Sequence, residues 1–246
     1  MNRKKILVVD AFKSTGGEEE VAYLIYKNLN RKKFCVYLSS PSSSPYFKKF
    51  KPLENEWFKC DFKNKFDFRA FKKFRTYILN NNIDIVNVHG YIAGFYVRMA
   101  LLGTTVKVIW TMHVDIQDVP NMSYLRKKIR KLIENSLNRF ATDEVICVSK
   151  NLQNRLTKYV KAKKSRVIYN GVNIYKFKKK NYNSIIHVDG KILKIGFVSR
   201  LSMQKGIPYL MDAIKQLRDL GVHFIVFIAG EGYQEDFIKS YLLKHN

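Results

Sequence analysis

The stretch Ile6-Leu7-Val8-Val9-Asp10 is an unbroken apolar run that ends on a carboxylate, and a polar turn containing Gly16-Gly17 follows it. Glu18-Glu19-Glu20 then begins a segment whose apolar side chains recur at helical spacing, namely Val21, Leu24, Ile25 and Leu29. A continuous apolar run of this length is typical of a strand buried on both faces of a parallel sheet. Acidic residues in a first helical turn suit the positive end of a helix. The stretch therefore predicts a strand, a glycine turn and a helix.

The same order of strand, turn and helix recurs along the chain. It predicts further strands at 34–39, 83–89, 106–112, 144–148 and 166–169, and helices at 68–79, 92–102, 124–140 and 150–159. A second series follows a lysine-rich, weakly periodic segment, with strands at 193–198 and 224–229 and helices at 206–220 and 234–244. Strands that alternate with helices of this length indicate βαβ units and a parallel sheet. We expect an α/β protein with a complete Rossmann-like domain over 1–175, a linker over 176–191 and an incomplete Rossmann-like domain over 192–246.

Composition excludes several classes of protein. The 246 residues are 46% hydrophobic, with 17 Phe and 15 Tyr, which is enough apolar material for a buried core. No run approaches the roughly 18 apolar residues of a membrane-spanning helix, and the apolar part of the first ten residues is too short for a signal peptide. Cys35, Cys60 and Cys147 are scattered without metal-ligand spacing, which favours a reduced, cytoplasmic setting.

The charge is strongly unbalanced. Lys and Arg number 45 against 20 Asp and Glu, a formal net charge of +25. Such an excess indicates an acidic partner, which could be nucleic acid, an anionic membrane or a phosphorylated ligand. Abundant Lys, Asn, Ile, Tyr and Phe together are also typical of AT-rich genomes, which explains part of the excess. Because no nucleic-acid-binding motif is present, we do not expect a nucleic-acid partner.

Distinctive residues stand where predicted strands end. Gly16-Gly17 follow the first strand, His89 and His113 end two later strands, and Arg200 and Lys205 follow the first strand of the second series. Ligands of open parallel sheets bind at the carboxyl ends of the strands. An Arg and a Lys on one strand–helix loop can together hold a diphosphate. The simpler alternatives are a plain glycine turn, solvated surface cations and a capping histidine, and for His89 we favour the last of these.

Four segments together resemble GT-B glycosyltransferases of family 4. They occur in the order seen in that family: Val145-Ile146-Cys147-Val148-Ser149-Lys150, then Arg166 to Phe177 around Asn170-Gly171-Val172-Asn173, then Ile195-Gly196-Phe197-Val198-Ser199-Arg200-Leu201 with Lys205-Gly206, and Ile228-Ala229-Gly230-Glu231-Gly232. The resemblance covers nearly the whole chain. The last glycine turn is by itself too short to be a dinucleotide-binding fingerprint.

The resemblance implies an activity and roles for particular residues. Family members transfer a hexose or related sugar from a nucleotide-sugar with retention of configuration, usually without a metal, and the nucleotide-sugar is a co-substrate rather than a cofactor. Residues matching Arg200 and Lys205 hold the donor diphosphate, which the loop matching Gly16-Gly17 also approaches. The residue matching His113, in Trp110-Thr111-Met112-His113, lies near the reacting sugar. The turn Gly230-Glu231-Gly232 is expected beside the nucleoside. The implied acceptor is a saccharide or lipid-linked saccharide in cell-envelope polysaccharide synthesis.

One departure from the family qualifies that expectation. The second lobe of family members continues into a Glu-x7-Glu motif, and this sequence reaches Asn246 without one. The sequence is therefore interpreted as C-terminally truncated. The alternative is a non-catalytic module that binds an acceptor or a partner, such as one half of a split glycosyltransferase completed by another chain.

Two basic segments are candidates for contact with a membrane. The region Tyr46–Thr76 has ten basic and four acidic residues interleaved with aromatics: Phe47, Phe50, Trp57, Phe58, Phe62, Phe66, Phe68 and Phe71. The predicted helix over 124–140 is also basic, with an apolar stripe of Leu125, Ile129, Leu132, Ile133 and Leu137. Basic amphipathic surfaces suit the interface of an anionic membrane. We expect Tyr46–Thr76 to be the membrane-binding surface, at the inner face of the plasma membrane, and the stripe of the helix to face the core.

Overall fold

The computed structural model describes residues 3–11, 16–45, 53–61, 67–115, 123–157, 165–177 and 192–245. The chain forms two compact units, Met1–Ile174 and Tyr175–Asn246. Most of the expected linker, from residue 178 onward, lies outside the described residues. Within the described part of the chain, no helix has both the length and the hydropathy needed to cross a membrane.

The first unit is built on a parallel sheet of seven strands in the order β3-β2-β1-β4-β5-β6-β7. Its strands are β1 (Lys4–Val9), β2 (Phe34–Ser40), β3 (Trp57–Lys59), β4 (Ile85–His89), β5 (Lys107–Met112), β6 (Glu144–Cys147) and β7 (Ser165–Val167). The chain moves outward in one direction from β1 through β2 to β3, and in the other direction from β4 onward. The order of strands therefore reverses between β1 and β4, which is where open α/β sheets bind their ligands.

Among the residues that the structure describes, five helices with defined bounds connect these strands. They are α1 (Gly17–Asn28), α2 (Phe68–Asn80), α3 (Tyr91–Ala100), α4 (Tyr124–Phe140) and α5 (Lys150–Thr157). The two sheet faces bury separate clusters because side chains alternate along each strand. On β1, Leu7 and Val9 pack into the cluster beneath α2 and α3, whereas Ile6 and Val8 pack into the cluster beneath α1. Both faces of the central strands are covered, as the continuous apolar run predicts.

Two details of this unit differ from the sequence prediction. The strand β3 was not predicted, because it has only three residues and lies at the sheet edge, where pairing to β2 rather than a long apolar run stabilises it. The buried face of α1 is formed by Glu19, Ala22, Tyr23 and Tyr26, and not by the predicted apolar stripe. Of that stripe, Ile25 and Leu29 pack only at the margin of the cluster. Tyrosine rings bury more surface than a valine or leucine and so displaced them from the core.

The prediction that the apolar side chains of α4 face the core is wrong for four of its five residues. The boundaries of the helix agree with the prediction, but its buried residues are Glu134, Leu137 and Asn138. Four of the five predicted stripe residues, Leu125, Ile129, Leu132 and Ile133, are exposed. The helix is turned so that a buried ion pair, rather than the apolar stripe, meets the rest of the unit.

The second unit contains β8 (Leu193–Val198), β9 (Phe224–Ala229), α6 (Ile207–Asp219) and α7 (Glu235–His245) in its described residues. The two strands are parallel, and both have the bounds predicted from sequence. Its core is small, consisting of Leu201, Ile207, Met211 and Ile238. Every residue of β8 and β9 is at least partly exposed, in contrast to β1 and β4 of the first unit, where most residues are buried.

Candidate functional site

The carboxyl ends of β1, β4 and β5 form the candidate site of the first unit. β4 pairs with both β1 and β5, so three adjacent strands end side by side. His89 is the last residue of β4, Asp10 follows β1 and His113 follows β5. His89 and His113 belong to the same face of the sheet as Ile85, which packs toward α1. The structure thus brings together the two histidines that the sequence placed at separate strand ends.

The two histidines belong to a chain of polar side chains. Nδ1 of His89 lies 3.0 Å from Nε2 of His113, and Nε2 of His89 lies 2.9 Å from Oδ1 of Asn87. The Asn87 amide donates to Thr111 Oγ1 at 2.9 Å and to the carbonyl of Ile109 at 3.4 Å. Because a backbone carbonyl only accepts, the amide nitrogen must face it, and Asn87 Oδ1 is left to accept from His89.

This order of donors assigns the proton on each ring. His89 donates through Nε2 and accepts at Nδ1, so His113 donates through Nε2 and keeps a lone pair on Nδ1. His89 is fully buried, and burial together with the neighbouring His113 lowers its pKa to about 3. Burial lowers the pKa of His113 to about 4. Both rings are therefore neutral at physiological pH, and His113 can accept a hydrogen bond from a substrate hydroxyl.

Trp110 fixes the backbone that carries this hydrogen-bonded series of polar side chains. Its indole nitrogen donates to the carbonyl of Gly90 at 2.9 Å, just after the end of β4. A Cβ on Gly94 would lie 2.6 Å from the same nitrogen, so only glycine allows α3 this close to the ring. The Arg98 guanidinium stacks 3.8 Å from the centre of the Trp110 ring and pairs with Glu134 at 2.8 Å, and both charged side chains are fully buried.

The glycines after β1 lie beside carboxyl groups. Gly16 precedes α1 in extended conformation, and Gly17 is its first residue. A Cβ on Gly16 would lie 2.5 Å from Oε2 of Glu19. Burial, and then the charges of Asp10 and Glu19, raise the pKa of Glu18 to about 8, and its Oε1 is buried with no hydrogen-bond partner among the described residues. Glu18 is thus protonated over most of the physiological range, which limits the negative charge at this end of the helix.

The candidate site of the second unit is the loop after β8, which is held against the turn after β9. The Leu201 amide donates to the carbonyl of Glu231 at 2.8 Å, and the Leu201 carbonyl accepts from Gln234 at 3.1 Å. The Met203 amide donates to the Tyr233 hydroxyl at 3.0 Å. The Leu201 side chain is itself buried in the small core, so backbone bonds and packing both fix the loop.

Gly230 and Gly232 make this close approach possible. Their φ angles are 152° and 153°, which favour glycine. A Cβ on Gly230 would lie 1.8 Å from the carbonyl oxygen of Ser199, and one on Gly232 would lie 2.3 Å from that of Leu201. The glycines that the sequence placed near a nucleoside therefore have a local structural role, which is to let two loops meet.

Arg200 and Lys205 stand on the rigid loop, near the beginning of α6. Both are exposed, and neither forms an ion pair with any residue that the structure describes. The first turn of α6 contains no acidic residue, and Gly206 caps the helix without a side-chain hydrogen bond. Two cations beside the backbone N–H groups of a helix beginning suit an anion.

Sequence reasoning missed several polar residues of the site. Asn87 is a polar residue inside an otherwise apolar buried strand, and that contrast was a usable signal. Asp115, 3% exposed, pairs with Arg155 of α5 at 2.7 Å, and Glu18 has a raised pKa. Neither of these could be found without tertiary contacts. Within the described residues, no group of three or more His, Cys, Asp or Glu is placed to hold a metal ion.

A family profile, a curated relative and two solved structures are compared with the chain, and each comparison points to glycosyltransferases. The sequence profile of the family described as Glycosyltransferase Family 4 matches residues 15–176. A glycosyltransferase of Methanocaldococcus jannaschii, MJ1178, is 26% identical over 185 residues, which are 72% of this chain and 45% of that protein. Anabaena Alr3699/HepE in complex with UDP-glucose has a TM-score of 0.75 at 18% identity, over 98% of this chain and 66% of that one. The lipopolysaccharide outer core galactosyltransferase WaaB in its apo form has a TM-score of 0.67 at 16% identity, over 98% and 64%.

These coverages define what the similarity establishes. The solved neighbours confirm the expected α/β fold of GT-B type, with its parallel sheet in the first Rossmann-like domain. The chain spans about half the length of the curated relative and about two thirds of the length of the solved chains.

Proposed function

The chain belongs to glycosyltransferase family 4, and on that premise we propose that it takes part in moving a sugar from a nucleotide-sugar to a saccharide or lipid-linked acceptor. The observation that carries the proposal is the rigid loop after β8, which presents Arg200 and Lys205 without a carboxylate partner among the described residues. A leaving nucleoside diphosphate gains negative charge in the transition state, and fixed cations stabilise that charge.

His113 supplies the other half of the proposed chemistry. Its Nδ1 lone pair accepts a hydrogen bond from a hydroxyl of the transferred sugar, while His89 holds the ring and its tautomer. A neutral ring suits this role, because an imidazolium would have no lone pair to offer. The cations replace a metal ion in neutralising the diphosphate, and the transfer retains anomeric configuration.

The finer assignment rests on the neighbours. One is crystallised with UDP-glucose and another is a galactosyltransferase of the lipopolysaccharide outer core. They support a hexose as the transferred sugar and cell-envelope polysaccharide as the product. Three free cysteines, two of them buried, support a reduced, cytoplasmic location.

Calorimetric titration with UDP tests the proposal. We expect Arg200→Ala and Lys205→Ala each to weaken UDP binding by roughly tenfold, since each removes a charge-assisted contact to phosphate. Lys215→Ala is the matched control, because Lys215 is an exposed cation of α6 that lies away from the loop. Its UDP affinity should equal that of the unsubstituted protein. Equal affinities for all four proteins, or no UDP binding at all, would contradict the proposal.

A second candidate is a module that binds a partner chain without catalysing transfer. The observation in its favour is the exposure of β8 and β9, with Leu193 50% and Val198 83% exposed. Such a two-stranded sheet offers edges and apolar surface to a complementary chain. Transfer of sugar by the protein alone would rule out this candidate, whereas transfer only after a second chain is added would favour it.

A further inference from the structure

The helix α4 has an inverted arrangement of apolar and polar residues. Its side toward the protein carries Glu134, which pairs with Arg98 in full burial, and Asn138. The Arg130 guanidinium also faces inward and stacks 3.4 Å from the centre of the Tyr91 ring. The helix cannot rotate to bury a different face without separating a buried ion pair, which is strongly unfavourable.

The side away from the protein is apolar. Five large side chains there are between 36% and 67% exposed: Leu125, Ile129, Leu132, Ile133 and Phe140. Their spacing of i, i+4, i+7, i+8 and i+15 places them on one face of the helix, which we name the α4 stripe. The helix has 17 residues and is therefore about 25 Å long, and the stripe runs along it with the exposed Ser136 between Ile133 and Phe140.

Cations border the α4 stripe. The helix carries six Lys and Arg but only one acidic residue, Glu134, whose charge is buried and paired. Arg126, Lys128 and Arg139 are exposed next to the stripe. A second copy of this chain would bring these like charges together, and that repulsion disfavours a stripe-to-stripe dimer.

We propose that α4 docks the protein on an anionic membrane surface. The stripe enters the boundary between headgroups and acyl chains, and the flanking cations bind lipid phosphates. An anionic bilayer satisfies both halves of the surface at once, because it offers acyl chains to the stripe and phosphates to the cations. The inference is independent of the proposed sugar transfer, since it rests only on the orientation and charge of one helix.

This inference moves the membrane contact from the region that the sequence favoured. Within Tyr46–Thr76, Trp57 and Phe58 are each only 8% exposed and pack in the sheet, Phe71 is half-buried, and Phe68 is exposed. Phe47, Phe50, Phe62 and Phe66 lie outside the described residues. The aromatic content of that region therefore serves at least partly to cover the edge of the sheet.

Vesicle co-sedimentation without nucleotide tests the proposal. We expect the protein to bind vesicles of phosphatidylcholine with 30% phosphatidylglycerol and not vesicles of phosphatidylcholine alone. The triple variant Leu125→Ser/Ile129→Ser/Leu132→Ser should lower the partition coefficient at least roughly tenfold. Its thermal midpoint should not fall, because the three side chains are exposed.

Matched variants separate the α4 stripe from other surfaces. Tyr209→Ser/Leu243→Ser removes two side chains that are each 81% exposed in the second unit, and should leave binding unchanged. Arg126→Gln/Lys128→Gln should weaken binding to anionic vesicles, while Arg69→Gln/Lys72→Gln, in exposed cations of α2, should not.

Three results would overturn the proposal. They are equal binding to neutral and anionic vesicles, full vesicle binding by the triple variant, and a dimer in sizing experiments that the triple variant converts to a monomer without changing vesicle binding. The last result would assign the stripe to a second copy of the chain.

Discussion

The two units present opposite chemistries at the carboxyl ends of their strands. In the first, His113 and His89 are neutral and hydrogen-bonded to each other above a buried sheet. In the second, Arg200 and Lys205 are charged and exposed, without an ion-pair partner among the described residues, on a loop over a small core. The first arrangement suits orienting a hydroxyl, and the second suits neutralising a diphosphate. Under the proposed function, the two units contribute different parts of sugar transfer.

The largest expected effect concerns the buried ion pair of Arg98 and Glu134 in the first unit. Arg98→Ala should lower the free energy of unfolding by about 3–5 kcal/mol, because it leaves Glu134 charged and buried without its partner. Urea unfolding measures it. The double variant Arg98→Met/Glu134→Leu should recover most of the loss.

An exposed ion pair is the control for that loss. Lys107→Ala breaks the ion pair between Lys107, 67% exposed, and Asp143, 42% exposed. It should lower the free energy of unfolding by less than about 1 kcal/mol. If Arg98→Ala lowers the free energy of unfolding no more than Lys107→Ala does, the stability of the first unit does not depend on the buried ion pair.

The second site should depend on backbone geometry instead. Gly230→Ala places a Cβ against the carbonyl of Ser199 in a conformation that favours glycine, so we expect a loss of about 3 kcal/mol in the second unit. Hydrogen exchange of the β8 and β9 amides measures it. Gly196→Ala, in β8 with open space around its Cβ, should have little effect. Equal effects of the two substitutions would show that the loops are not held as the structure indicates.

The pH dependence of stability should contain two opposed contributions. The folded pKa values of His113 and His89, about 4 and about 3, lie below the unfolded value of about 6.5. The unfolded state therefore binds more protons as pH falls from 6.5, and stability is lost down to pH of about 4 for His113 and about 3 for His89. The folded pKa of Glu18, about 8, lies above its unfolded value, so its contribution is lost as pH rises from 4.5 to 8.

Glu18→Gln separates the two contributions. At pH 8 it should raise the free energy of unfolding by roughly 2 kcal/mol relative to the unsubstituted protein, with little change at pH 4.5. The acid-side loss due to the histidines should remain. Denaturant unfolding across this pH range measures both, and an unchanged slope between pH 4.5 and 8 would contradict the burial of Glu18.

The smallest expected effect concerns proton positions at the first site. Nitrogen-detected NMR should find the proton of each histidine on Nε2, with neither ring titrating between pH 8 and 5. Asn87→Asp places a carboxylate next to His89 and should raise the pKa of that ring by roughly one to three units. Titration of His89 at its ordinary value in the unsubstituted protein would show that the chain of hydrogen bonds does not form.

Sequence reasoning predicted the elements better than their orientation. The bounds of α4, β8 and β9 agree with the structure, since long periodic helices and short apolar strands have clear local signals. The exposed stripe of α4 was assigned to the core because periodicity identifies an apolar face without showing what covers it. The buried pair of Arg98 and Glu134, 36 residues apart, decides that orientation, and no local pattern contains it.

The candidate site shows the same limit. Strand-end position and the family resemblance together single out His113, Arg200 and Lys205, whose roles stay predictions. The contact between His89 and His113 depends on the register of β4 against β5, which the sequence does not encode locally. His89 was therefore interpreted as a capping residue, whereas the structure pairs it with His113.

The division of work between the two sites is tested most directly by measuring UDP and UDP-glucose affinities for His113→Ala and Arg200→Ala in parallel. Arg200→Ala should weaken both ligands by the same factor of roughly ten, because both carry the diphosphate. His113→Ala should leave UDP affinity unchanged and weaken UDP-glucose alone, because only that ligand carries the sugar. The account is contradicted if His113→Ala weakens UDP, or if Arg200→Ala leaves both affinities unchanged.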